Sequence, residues 1–129
     1  MTPSKILLID DSPSIRTIIK LFLINHPVEF VEAKDGAEGL AVAGKGPLDL
    51  VIADFNMPVM DGLTFVQRLR AHDDPRLRKL PVILLTANKE PGIREQAEAA
   101  GAVFAQKPVS REALTLAVGN LLKPSEAAG

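Results

Sequence analysis

Three short apolar runs, at 5–10, 48–53 and 81–86, dominate the chain, and each ends at or just before a polar residue: Asp10, Asp54 and Thr86. A run with almost no polar alternation suits a strand buried on both faces, as in a parallel sheet. Two weaker strand candidates lie at 28–33, where apolar and acidic residues alternate, and at 102–106. Helical patterns separate the five runs. The clearest begins at Ser12, a good N-cap, with Pro13 at the first helical position and Ile15, Ile18, Ile19 and Phe22 as its apolar stripe. Leu63, Val66 and Leu69 mark another helix, and Leu114, Ala117, Val118 and Leu121 mark the last. Alanine-rich stretches at 37–44 and 93–100 complete the alternation. Strand and helix alternating five times predict right-handed crossovers and an α/β fold: a doubly wound, five-stranded parallel sheet with helices on both faces. In such a fold ligands sit beyond the carboxyl ends of the strands.

The 129 residues leave room for one domain, with a core over about 5–122 and a frayed tail at 123–129. The polar, mixed-charge stretch 71–80 reads as a solvated surface loop. A formal net charge of -1 provides no basic field, which argues against nucleic acid as a direct partner. Cysteine is absent, so disulfides, zinc-thiolate sites and thiol catalysis are excluded together. Neither a signal peptide nor a membrane-spanning run is present, and the expected setting is soluble and cytoplasmic, without a membrane partner.

The strand ends carry the chemistry. The first strand finishes at Asp10-Asp11, the third runs into Asp54, the fourth into Thr86 and the fifth into Lys107. On a parallel sheet these residues share one edge. Two carboxylates about 4 Å apart repel by roughly 4 kcal/mol at an effective dielectric near 20, so three together need more counter-charge than Lys107 supplies. A hard divalent cation meets that need, and all-oxygen ligation suits Mg²⁺, which readily shares its site with a phosphate. His26 and His72, at a helix end and in the polar loop, do not suggest a softer metal.

The set Ile6-Leu7-Leu8-Ile9-Asp10-Asp11, Val51-Ile52-Ala53-Asp54-Phe55-Asn56-Met57-Pro58-Val59-Met60-Asp61-Gly62, Leu84-Leu85-Thr86-Ala87 and Gln106-Lys107-Pro108 resembles the receiver domain of two-component response regulators. The resemblance covers about 5–122 and implies a CheY-like, flavodoxin-like sheet of strand order 2-1-3-4-5. It implies that Asp54 is the phosphoacceptor, attacking the phosphorus of a sensor histidine kinase's or phosphotransfer protein's phosphohistidine. Asp10, Asp11, Asp54 and the backbone carbonyl of Asn56 would be the Mg²⁺ ligands. Lys107 would pair with a phosphoryl oxygen, and Thr86 would hydrogen-bond another. Phe104 occupies the family's switch-aromatic position. The output face would comprise the fourth helix, fifth strand and fifth helix, roughly 93–122, and would meet a downstream protein. The resemblance also implies a cis Lys107-Pro108 bond and backbone freedom at Gly62. The implied role is a single-domain, phosphorylation-activated switch, not an enzyme in the ordinary sense.

Two departures bear on that implication. Val109 follows Pro108 where a larger apolar residue is common, and Pro91-Gly92 places a helix breaker close to the fourth helix. Asn56 and Asn88 flank the acceptor, where their amides could influence water's approach. Other readings compete. An aspartate-nucleophile phosphohydrolase usually needs a second Asp two residues after the first, and Asn56 stands there. A non-phosphorylated, receiver-like scaffold would be expected to lack at least one site residue, yet all are present. A dinucleotide fingerprint fails because Gly44, Gly46 and Asp49 follow a helix and precede a strand, the reverse of the required order.

Overall fold

The structure, a computed structural model, describes residues 3–87 and 92–122. Asn88, the remainder of 88–91 and the tail at 123–129 lie outside the described residues. The strands are β1 (Ser4–Ile9), β2 (Val28–Ala33), β3 (Leu50–Asp54), β4 (Val82–Thr86) and β5 (Val103–Gln106). They form one sheet in the order β2-β1-β3-β4-β5, and every pairing is parallel. The helices are α1 (Pro13–Phe22), α2 (Gly36–Ala43), α3 (Gly62–Arg70), a single turn α4 (Pro75–Arg78), α5 (Ile93–Ala99) and α6 (Arg111–Leu121).

The uninterrupted apolar runs are explained by two cores, one on each face. Side chains alternate across a strand. Ile6 and Leu8 of β1, Ile52 of β3 and Ile83 and Leu85 of β4 therefore pack with Ile19 and Leu23 near α1 and with Leu114 and Val118 of α6. Their neighbours Leu7, Ile9, Val51, Ala53 and Leu84 pack on the other side with Phe65, Val66 and Leu69 of α3 and Ala97 of α5. A polar residue at any of these strand positions would be buried on one side or the other, without water to pair it.

Local signals fix the helix starts. Ser12 Oγ accepts from the Ile15 N–H at 3.3 Å, Asp35 from Glu38 and Asp61 from Thr64 at 2.8 Å each, and Ser110 from Ala113 at 2.9 Å. Each side chain satisfies an amide that a helix start leaves unpaired. The α5 start differs: its N-cap is Gly92, at φ 96°, with no side-chain cap. A glycine has no side chain with which to cap.

Two expectations need correction. The 71–80 stretch is not simply a solvated loop, because α4 interrupts it and buries Leu77, and Leu80 beyond the helix also enters the core, each under 5% exposed. Its charged composition conceals these two anchors. Arg70 then ties the segment down, donating to the carbonyls of Arg78 and Leu80 and to those of Ala100 and Gly101 at 2.8–3.1 Å. Burial lowers the Arg70 pKa. The second correction concerns Gly62, which does not take a positive φ. It is required for space: a Cβ there would lie 2.5 Å from the Asp54 carbonyl oxygen and 2.8 Å from Leu84 Cδ2.

Candidate phosphoacceptor and metal site

Parallel pairing puts the C-terminal ends of β1, β3, β4 and β5 on one edge, and the polar residues that follow them meet there. Asp54 is the last residue of β3 and Thr86 the last of β4, both buried. Asp10 and Asp11 follow β1, and Lys107 follows β5, its backbone N–H donating to the Thr86 carbonyl at 2.8 Å. One carboxylate oxygen each from Asp10, Asp11 and Asp54 lies within 4.8 Å of the others. Lys107 Nζ stands 3.0 Å from Asp54 Oδ1 and 3.7 Å from Asp10 Oδ2.

The two oxygens of Asp10 are unequal. Oδ1 accepts from the Ser12 N–H at 2.8 Å and shapes the turn into α1. Oδ2 is buried without a hydrogen bond. Burial pushes the Asp10 carboxyl above its ordinary value; the Ser12 amide opposes that shift, and the neighbouring Asp54 charge adds to it. Three carboxylates against one ammonium leave the edge with excess negative charge. The donors are oxygens at a spacing one small cation can span, and one of them, Asp10 Oδ2, is buried with a distant ion pair and no hydrogen bond. These features fit a hard divalent ion such as Mg²⁺.

The sequence-predicted site residues largely come together. Asn56 lies two residues past Asp54 in the exposed connection to α3. That connection contains Val59 at φ 71°, with the Met60 N–H bonded back to the Pro58 carbonyl at 2.7 Å. The Lys107-Pro108 bond is cis, as expected. Phe104 stands apart from the carboxylates on β5, half-buried beside Leu84 of β4, with the Arg94 guanidinium 5.0 Å from its ring centroid. Sequence reading missed Arg16, whose Nη1 donates to the Asp10 carbonyl and whose Nε is 2.8 Å from Glu32 Oε1. Arg16 and Lys20, four residues apart on α1, face the acidic alternation of β2; that pairing of patterns was the available signal.

Residues 6–119 match the response regulator receiver domain family. The chain belongs to that family. This receiver domain is 37% identical over 112 residues to the chemotaxis protein CheY of Pseudomonas aeruginosa, covering 85% of this chain and 89% of CheY. It is 34% identical over 124 residues to the transcriptional regulatory protein GlrR of Escherichia coli K12, covering 95% of this chain but only 27% of GlrR. Among solved structures, the receiver domain of the sensor histidine kinase PA1611 from Pseudomonas aeruginosa superposes with a TM-score of 0.83 at 28% identity, covering 95% of this chain and 99% of that one. That structure has a magnesium ion coordinated in its active-site cleft. Relatives of this receiver domain thus include a protein of its own length and a much longer regulator. Among its described residues, no helix is long and apolar enough to cross a membrane.

Proposed function

We propose that this receiver domain acts as a Mg²⁺-dependent phosphorylation switch with Asp54 as acceptor. The observation that carries this reading is the 3.0 Å approach of Lys107 Nζ to Asp54 within a triad of carboxylates that one ammonium cannot balance. An Asp54 oxygen attacks the phosphorus of a phosphohistidine on a sensor kinase or phosphotransfer protein; the new O–P bond forms as the P–N bond breaks, and the histidine leaves with the electron pair. Asp10, Asp11, Asp54 and the Asn56 carbonyl would hold Mg²⁺, which offsets the charge of acceptor and phosphoryl group. The magnesium in the PA1611 cleft supports this assignment. Lys107, already beside Asp54, pairs with one phosphoryl oxygen, and the Thr86 hydroxyl, at the adjacent strand end, donates to another.

Output follows through the face formed by α5, β5 and α6, where Phe104 serves as the switch aromatic and a downstream protein docks. The site does its chemistry on its own side chain, so the protein is a switch that assists its own phosphorylation and dephosphorylation; a cytoplasmic setting accords with this role. Asn56, in place of a second carboxylate, speaks against the phosphohydrolase reading.

Incubation with acetyl phosphate and Mg²⁺, followed by intact-mass measurement, tests the acceptor. The expected result is one phosphoryl-sized increment that maps to Asp54 and disappears in Asp54→Asn. Retention of the full increment in that variant would refute the assignment, and turnover of a generic phosphomonoester lost in the same variant would favour the hydrolase.

A further inference from the structure

The Asp10-Asp11-Ser12 turn carries two of the three clustered carboxylates, so its conformation sets how well the site can close on a cation. The Asp10 N–H holds this turn to the sheet, donating to the Ala33 carbonyl at 3.1 Å. Beyond it, the turn's internal bond, from the Ser12 N–H to Asp10 Oδ1, uses the Asp10 side chain and not its carbonyl. Arg16 fills that gap, its Nη1 donating to the Asp10 carbonyl.

Arg16 is itself fixed. Its Nε is 2.8 Å from Glu32 Oε1, and the second carboxylate oxygen of Glu32 takes Lys20 Nζ at 2.8 Å. The Arg16 side chain is 16% exposed, so it is held against the protein and does not trail into water. Glu32 sits on β2 opposite Leu8 in the pairing with β1, one residue before the Ala33 that anchors Asp10. One guanidinium thus links the edge strand, the first helix and the turn that bears the carboxylates. Both Glu32 cations lower its pKa, Lys20 first and Arg16 next, so the anchoring carboxylate stays charged.

We infer that Arg16 is a positioning residue for the metal site, holding the Asp10-Asp11 peptide in the conformation that directs both carboxylates at the cation. This deepens the proposed function and rests on its Mg²⁺ site. A planar guanidinium can donate to a carbonyl and a carboxylate at once through separate nitrogens; an ammonium on a flexible stem holds that pair poorly.

Electrostatics alone makes the opposite prediction, and this separates the two explanations. A fixed positive charge near a cation site repels the cation, so by charge alone Arg16→Met would bind Mg²⁺ more tightly and Arg16→Lys would bind as wild type. A positioning role predicts that both variants bind more weakly, by about tenfold, in the range typical of residues that orient metal ligands.

The test is a titration of the full chain with Mg²⁺ alone, followed through the backbone amide NMR shifts of Asp11 and Ser12, with metal-free melting measured on each protein. The expected result is weaker binding in both Arg16 variants, displaced Asp11 and Ser12 amide shifts before any metal is added, and a cooperative metal-free melt. Wild-type affinity in Arg16→Lys, or equal or tighter binding in Arg16→Met, overturns the inference. If either variant fails to fold, a Lys20→Met, Glu32→Gln double variant keeps Arg16 and the net charge but removes its anchor; weakened Mg²⁺ binding there supports the positioning role, and wild-type affinity contradicts it. If wild-type protein itself shows no Mg²⁺ response, the proposed function fails and takes this inference with it. A wild-type response with unchanged variants removes only the role of Arg16.

Discussion

At the scale of single residues, Asp10 shows how one side chain can cost stability and still be needed. Its Oδ2 is buried without a hydrogen bond, and burial raises its pKa above the ordinary 3.8. A carboxylate whose folded value is raised contributes stability that is fully present below its unfolded value and is lost as pH rises through the folded one. Asp10→Asn keeps an oxygen for the Ser12 amide and removes the charge. It should raise metal-free stability near neutral pH by about 1 kcal/mol, in the range for a poorly compensated buried group. The gain should shrink as pH falls toward 3.8, which urea melts followed by circular dichroism at several pH values will show. Val59 is a second strained residue, 82% exposed at φ 71°. A β-branched side chain is poorly tolerated in that region, whereas Asn enters it readily. Val59→Asn should therefore stabilise the fold by about 1 kcal/mol, the low end of such strain, read as a higher midpoint in the same melts.

At the scale of elements, the junction of β3 with α3 couples packing to the site. The Cβ of Gly62→Ala would strike the carbonyl of Asp54 and the side chain of Leu84. Overpacking of this kind typically costs about 1–3 kcal/mol. Because the first atom struck belongs to the acceptor residue, the variant should also take up phosphoryl from acetyl phosphate more slowly than its lost stability explains; a destabilised variant with wild-type uptake would separate the two effects. The same elements show what the sequence could disclose. The strands β1, β3 and β4 were legible because burial on both faces demands unbroken apolar runs, and α1 because Ser12-Pro13 is a local start signal. Leu77 and Leu80 were not legible, since Leu77 stands between two arginines and is buried by the turn of α4, and Leu80 follows a run of charged residues. The reason for Gly62 was hidden too, because it depends on how closely α3 approaches the end of β3. Arg16 depends on β2 lying beside β1, which no local pattern fixes.

At the scale of the whole molecule, the two cores support the sheet from both faces, and at the polar edge across the strand ends three carboxylates are brought together against their mutual repulsion. A ligand that binds only the folded protein stabilises it in proportion to how far its concentration exceeds its dissociation constant, about 2.7 kcal/mol at a hundredfold excess. Asp10, Asp11, Asp54 and Lys107 were legible as a set because parallel topology sends strand ends to one edge, so a single inference about the sheet placed four residues at once. Whether that edge exists to bind a cation is the central claim, and thermal melting with and without Mg²⁺ tests it most directly. Mg²⁺ should raise the melting temperature of the wild-type protein by several degrees and leave an Asp10→Asn, Asp11→Asn double variant unmoved. An equal rise in the double variant, or none in the wild type, would contradict the account.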